Sequence, residues 1–189
     1  MRLYDPSSEF ERVLYKEPVI QARNRELGKQ ISLIYQHINT SDRLVAIGLM
    51  RGALPFMADI GRAMGDLPVE YELLTLSSYR GNTHPGEIEL VGDIRAEVTG
   101  QHVLLLDDIC DTGHTLNYAV ELFKKRNPSS IRTCCLLDKP QRRAIDIRAD
   151  FIGFVMENDE FVVGYGLDYN GRYRNLPYIA ALHPRMYKK

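Results

Sequence analysis

The sequence of 189 residues has three cysteines, no apolar run of membrane-spanning length, and a formal net charge of only -1. Each shortage excludes something. Cys134 and Cys135 adjoin in an apolar stretch and Cys110 follows acids, which matches neither a disulfide framework nor a zinc-ligand spacing. A reducing, cytoplasmic setting is therefore the expectation. Without a run of about 20 apolar residues, no membrane span is expected. The first residues, MRLYDP, carry no long apolar stretch, so no signal peptide is expected either. Basic and acidic residues nearly cancel, 24 Lys and Arg against 25 Asp and Glu, which leaves no general electrostatic reason to bind nucleic acid or a membrane surface. Repeats, low-complexity tracts and linkers are missing, so the chain reads as one domain, 1–189, long enough for a full core. No GxxxxGKS or GxxxxGKT occurs, which removes a P-loop nucleotide hydrolase.

What is present centres on residues 103–115, VLLLDDICDTGHT. Val103, Leu104, Leu105 and Leu106 form a short apolar run that suits a strand buried on both faces, as in a parallel sheet. After the turn, Leu116, Ala119, Val120 and Phe123 recur at helical spacing. The pattern predicts a strand, an acidic loop and a helix. In open α/β sheets ligands bind where strands end. Thr112, Gly113, His114 and Thr115 offer backbone amides and two hydroxyls at a helix start, which favours an anion, most naturally a phosphate. Asp, Thr and Gly are also ordinary turn and cap residues. Three acids in five positions behind a buried strand, Asp107, Asp108 and Asp111, are less ordinary, because each costs desolvation and repels the others. A sugar diol, a metal ion or a proton to be moved would each explain one or more of them. Cys110 beside them is a small buried hydrophobe or a reactive thiol.

Elsewhere Pro18 marks a helix start, with Ile20, Leu27, Ile31, Ile34 and Ile38 at helical spacing. Residues 44–49, 69–76, 131–137 and 151–155 read as strands, as do 161–163, and residues 13–15 as a short edge strand. Leu54 to Ile60 begins a second helix after the turn Met50, Arg51, Gly52, Ala53. Residues 77–86, SSYRGNTHPG, are polar and rich in helix and strand breakers; a loop this long is functional or disordered. The tail, 183–189, is basic and expected to be loosely held.

The run LLLDDICDTGHT resembles the phosphoribosyl-pyrophosphate (PRPP) signature of type I phosphoribosyltransferases. LDKP at 137–140 and FVVGYGLDYN at 161–170 resemble the base-binding segments of the hypoxanthine(-guanine) phosphoribosyltransferases, and the likeness runs from about residue 17 to about residue 182. It implies an α/β fold of type I: a twisted, mainly parallel sheet flanked by helices, with a small hood made by the N-terminal segment and residues near 155–189. It also implies purine salvage, transferring the 5-phosphoribosyl group from PRPP to N9 of hypoxanthine, and guanine too, with Mg²⁺ as cofactor.

By the same resemblance Thr112, Gly113, His114 and Thr115 hold the 5′-phosphate, Asp107 and Asp108 face the ribose, and Asp111 moves a proton at purine N7. Arg51, Gly52, Arg143 and Arg174 contact pyrophosphate, and the Met50–Arg51 peptide is cis in relatives. Lys139 donates to the 6-oxo group, Phe161 stacks on the base, Val162 offers backbone groups and Asp168 adjoins the purine. Asp168, Asp107 and Asp108 are the implied metal-side carboxylates. Ser78 and Tyr79 sit at the base of a lid. Judged without the resemblance, Arg51 and Lys139 are solvated cations and Phe161 is core. The partners implied are the two small-molecule substrates, with no nucleic acid and no membrane, and a homodimer or homotetramer.

Three positions depart from the family pattern: Asp107 stands where Glu is usual, His114 is uncommon in the phosphate turn, and Cys110 replaces a branched aliphatic residue. A regulator that senses PRPP on the same fold is the second expectation. It would want a DNA-binding segment or a basic face, and would be expected to lack Asp111 or Lys139.

Overall fold

The computed structural model describes residues 6–38, 42–78 and 88–188. The apolar run at 103–106 becomes the centre of strand β5 (His102–Cys110), and its four side chains are wholly buried. Their alternation splits the core into two layers. Leu104 and Leu106 face Ile20, Leu27 and Ile31 of helix α1 (Glu17–Tyr35) and Phe56 and Ile60 of helix α2 (Leu54–Ala63). Val103 and Leu105 face Leu116, Ala119 and Phe123 of helix α3 (His114–Lys124). Burial of both faces explains why these strands read as continuous apolar runs.

Among the described residues the strands form two sheets. In the larger, β5 lies between β2 (Leu44–Met50) and β6 (Ser130–Asp138), parallel to both. Strand β3 (Val69–Ser78) adds parallel to β2, β7 (Phe151–Val155) adds parallel to β6, and β4 (Ile88–Gly92) closes the β3 edge antiparallel. The parallel strands all end on one side, and β2, β5 and β6 deliver their following turns there together. Ser78 is the last residue of β3 and pairs with Ile88, while Tyr79, the other expected lid residue, lies outside the described residues.

The smaller sheet joins β1 (Phe10–Tyr15), β9 (Ile179–Leu182) and β8 (Val162–Val163), all antiparallel. It draws the two ends of the chain together above the strand ends. No helix among the described residues is long and apolar enough to cross a membrane.

Two expectations are corrected. Two of the three acids, Asp107 and Asp108, do not sit in a loop: β5 continues through Cys110, because β6 stays paired with it as far as Cys110 opposite Asp138, and only Asp111 lies in the turn. The tail is not loosely held. Tyr169 donates its hydroxyl to the Met186 carbonyl at 2.8 Å, residues Pro184–Met186 form a 3-10 turn, and the Tyr187 ring packs 5.1 Å from that of Phe161. Aromatic contact area outweighs the solvation of its basic residues.

Candidate active site

Because β5 runs on past the apolar core, Asp107 and Asp108 are carried on a strand and leave it on opposite faces. Asp107 is 6% exposed. Burial, together with the neighbouring Asp108 charge, holds its carboxyl well above the usual carboxylate range. Burial raises Asp108 too. On its side Gly52 packs so closely that a Cβ there would lie 1.8 Å from Asp108 Oδ2. The turn after β2 is thereby pressed onto the acids of β5, and the Met50–Arg51 peptide leading into it is cis.

The chain then turns through Asp111, Thr112 and Gly113 into α3. Gly113 has φ +90°, and a Cβ would lie 2.7 Å from Ile147 Cγ2, so glycine is required twice over. The first amides of α3 have no intrahelical acceptor and face a cavity of about 480 Å³. Gly52, Asp107, Asp108, Asp111, Thr112, Gly113, His114 and Thr115 line it. Backbone amides, two hydroxyls and a helix start make this an oxyanion cradle, and the buried Asp107 and half-buried Asp108 beside it suit hydroxyls or a cation.

A second cavity, about 560 Å³, opens beside the first and is lined by Lys139, Arg142, Asp159, Phe161, Val162, Leu167, Asp168 and Tyr187. Asp108, Ile109 and Asp111 line both, so the two form one cleft with the acids at its waist. Lys139 is not solvated: it is 5% exposed, and Nζ donates to the Glu160 carbonyl at 2.5 Å. Burial pulls its pKa below the usual lysine range. Phe161 is 37% exposed, set edge-on to Tyr169, and therefore not core.

At the far rim Asp168 Oδ1 pairs with Arg174 Nη2 at 2.6 Å, and Asp168 Oδ2 accepts from the Gly171 amide at 2.7 Å. The Arg174 charge reaches Asp108 as well. The segment carrying Asp168 is seated by Gly166 (φ +99°), whose absent Cβ would lie 2.0 Å from the Gly52 carbonyl oxygen. Tyr165 anchors it from below, donating to Asp59 Oδ2 at 2.6 Å and accepting from Asn24 at 2.8 Å.

Arg51 is exposed at the edge of the cleft. Arg143, the other arginine expected at pyrophosphate, is engaged beneath the turn. Its guanidinium turns away from both cavities and pairs with Asp138, and donates to the carbonyls of Cys110, Asp111 and Ile147. These groups use four of its five N–H donors to brace the turn from beneath. Arg142, its neighbour, is the one that lines the cleft. Sequence reasoning assigned no role to Arg142, Asp159 or Tyr187. Paired arginines and an acidic turn are ordinary surface features, and no local pattern marks them. Cys110, Cys134 and Cys135 are buried and unpaired.

No cluster of three potential metal-ligating side chains occurs among the described residues. A hard cation such as Mg²⁺ does not require one, since it is commonly bound by one or two carboxylates plus substrate oxygens. Asp107 and Asp108, consecutive on β5 with raised pKa values, and Asp168 at the rim supply such a set, and a cation would relieve the repulsion between the first two.

A family model described as a phosphoribosyl transferase domain matches residues 20–170. The chain is 45% identical over 181 residues to a hypoxanthine-guanine phosphoribosyltransferase of Bacillus subtilis, covering 95% of this chain and 97% of that protein. It is 42% identical over 183 residues to the bifunctional protein TilS/HprT of Listeria monocytogenes, and there spans only 27% of the relative's length. The crystal structure of a hypoxanthine phosphoribosyltransferase from Staphylococcus aureus superposes with a TM-score of 0.89 at 38% identity, covering 97% of each chain.

Proposed function

We propose, for a chain that belongs to the phosphoribosyltransferase family and within it to the hypoxanthine(-guanine) phosphoribosyltransferases of type I fold, transfer of the 5-phosphoribosyl group of PRPP to N9 of hypoxanthine and of guanine. Pyrophosphate is released and a nucleoside monophosphate formed, which is purine salvage. The observation that carries this reading is the shared waist of the cleft: Asp108 and Asp111 line both the oxyanion cradle and the cavity of Lys139, Phe161 and Val162.

In this reading the amides and hydroxyls of Thr112, Gly113, His114 and Thr115 take the 5′-phosphate. Asp107 and Asp108 accept from the ribose hydroxyls, Asp107 directly or through water, being a methylene shorter than Glu. Lys139 donates to the 6-oxo group, Phe161 stacks on the ring and the Val162 backbone meets its edge. The bond from C1′ to pyrophosphate breaks with its electron pair leaving on pyrophosphate, while N9 donates its own pair to C1′. The proton at N7 passes to Asp111. Arg51, Gly52 and Arg174 receive pyrophosphate. Mg²⁺, held by Asp168 and by Asp107 and Asp108, would supply Lewis-acid stabilisation of the leaving group.

The chain 1–189 acts as one domain, the small sheet is the hood of the cleft, and Ser78 and Tyr79 help to exclude water from the cation-like sugar. The partners are small molecules, the assembly is a homodimer or homotetramer, and the compartment is the cytoplasm.

The test is PRPP- and Mg²⁺-dependent conversion of hypoxanthine to its nucleotide by the purified protein. Turnover with hypoxanthine and guanine but not adenine is expected. PRPP binding without turnover of any purine would turn the reading to a PRPP sensor.

A further inference from the structure

Asp111 sits on a turn, and one contact fixes its carboxylate. Arg142 Nε lies 2.9 Å from Asp111 Oδ1. That oxygen is shut off from solvent and accepts no hydrogen bond, although the side chain as a whole is 38% exposed. The exposure therefore belongs to the rest of the side chain, and Asp111 lines both cavities of the cleft. Among the described residues no other side chain forms an ion pair with this carboxylate. The opposite edge of the same guanidinium meets Asp159: Nη1 lies 3.0 Å and 3.3 Å from its two oxygens.

Asp159 belongs to the segment that leads into Phe161. The next residue, Glu160, gives its carbonyl to Lys139. Arg142 thus ties the turn that carries Asp111 to the segment that carries the aromatic platform. Pro140 opens the 3-10 turn Pro140–Arg142, so Lys139 and Arg142 present their cations from one short, stiff piece of chain.

Building on the function proposed above, we infer that Arg142 is a positioning residue for the transfer. It pins Oδ1 of Asp111, which leaves Oδ2 aimed at the bound base, and through Asp159 it sets the distance between the proton acceptor and the ring on which the base stacks. A planar guanidinium can hold two carboxylates at fixed angles, whereas an ammonium acts as a single point charge. Misplacing a reacting group by about 1 Å can cost on the order of 100-fold in rate while leaving binding nearly intact.

The experiment compares Arg142→Gln, Arg142→Lys, Asp159→Asn and the double variant Arg142→Gln/Asp159→Asn under saturating PRPP and hypoxanthine, with melting temperature as a folding control. Arg142→Gln is expected to lower kcat about tenfold or more, with both KM values within about threefold and the melting temperature unchanged. Arg142→Lys should recover part of the loss. Asp159→Asn should lower kcat by less, and the double variant should be no worse than Arg142→Gln alone, since both break one bridge. A kcat for Arg142→Gln within twofold of the native value overturns the inference. So do additive losses, or a loss that follows melting temperature. If the native protein turns over no purine, the proposed function fails first; native turnover with an unaffected Arg142→Gln sinks only the role of Arg142.

Discussion

The phosphate end of the cleft is built from main chain, contiguous over residues 111–115, whereas the base end is built from side chains that three distant segments bring together. At the first end the donors are amides at a helix start, fixed when β5, the turn and α3 form. At the second, Lys139 leans on the Glu160 carbonyl, Arg142 on Asp111 and Asp159, and Arg174 on Asp168, so each of these cations has a partner within the chain. A main-chain cradle binds what any phosphate offers, while a side-chain site discriminates, because its partners must be exchanged for those of the right base. Substrate class and base choice therefore lie at opposite ends of one cleft, and variants can separate them.

The largest effect is expected where the two ends meet. Asp111→Asn should lower kcat by about 10²–10⁴, the usual worth of a general acid or base, while the KM for PRPP moves little. An equal loss in rate and PRPP affinity would make Asp111 a binding group and dissolve the division. Next comes the side-chain end. Lys139→Ala removes a hydrogen bond from a charged donor, worth about 1.5–3 kcal/mol, so the KM for hypoxanthine should rise about 10- to 100-fold with PRPP affinity unchanged. Adenine should become no better a substrate. If adenine proves to be the native protein's preferred base, the division stands but Lys139 has been given the wrong partner.

At the main-chain end, Gly113→Ala forces a side chain into left-handed backbone at about 1–2 kcal/mol and against Ile147. The KM for PRPP should rise about tenfold with that for hypoxanthine steady at saturating PRPP, in steady-state kinetics; a rise in the hypoxanthine value instead would show that the ends are not separable. The smallest effect concerns Asp107, beside the phosphate cradle. Asp107 binds its proton more tightly in the folded chain than in the unfolded one, owing to burial. Stability is therefore lost as pH rises from the ordinary carboxylate range through the folded value. Asp107→Asn removes this cost and should raise the Tm read by thermal unfolding at pH 8 without substrates. The gain should shrink as pH is lowered, and a Tm below that of the native protein at pH 8 would contradict burial as the dominant influence on Asp107.

The same contrast governs what could be read in advance. Val103, Leu104, Leu105 and Leu106, followed by Leu116, Ala119 and Phe123, announce a strand, a turn and a helix, because burial on a sheet or a helix face imposes its own period on neighbouring residues. Strand β9, with Ile179, Ala180, Ala181 and Leu182 buried throughout, carries no such period. It pairs with β1 and β8, the former from the opposite end of the chain, and no local pattern encodes a partner that distant. Tyr187 looks like part of a basic tail until Phe161 is found beside it.

Arg142 and Arg143 make the point most sharply. They are adjacent and chemically identical, yet one faces the cleft and the other is sunk beneath the turn. The amino-acid order by itself determined the parallel α/β core, the glycine-containing anion turn and the family, since these depend on contiguous residues. Only the tertiary structure decided that β5 extends through Asp107 and Asp108, which arginine reaches the Asp111 carboxylate, and that the tail closes the base end. Those outcomes turn on which segments pack against each other, and packing between distant segments is set by the whole sheet rather than by any stretch of chain.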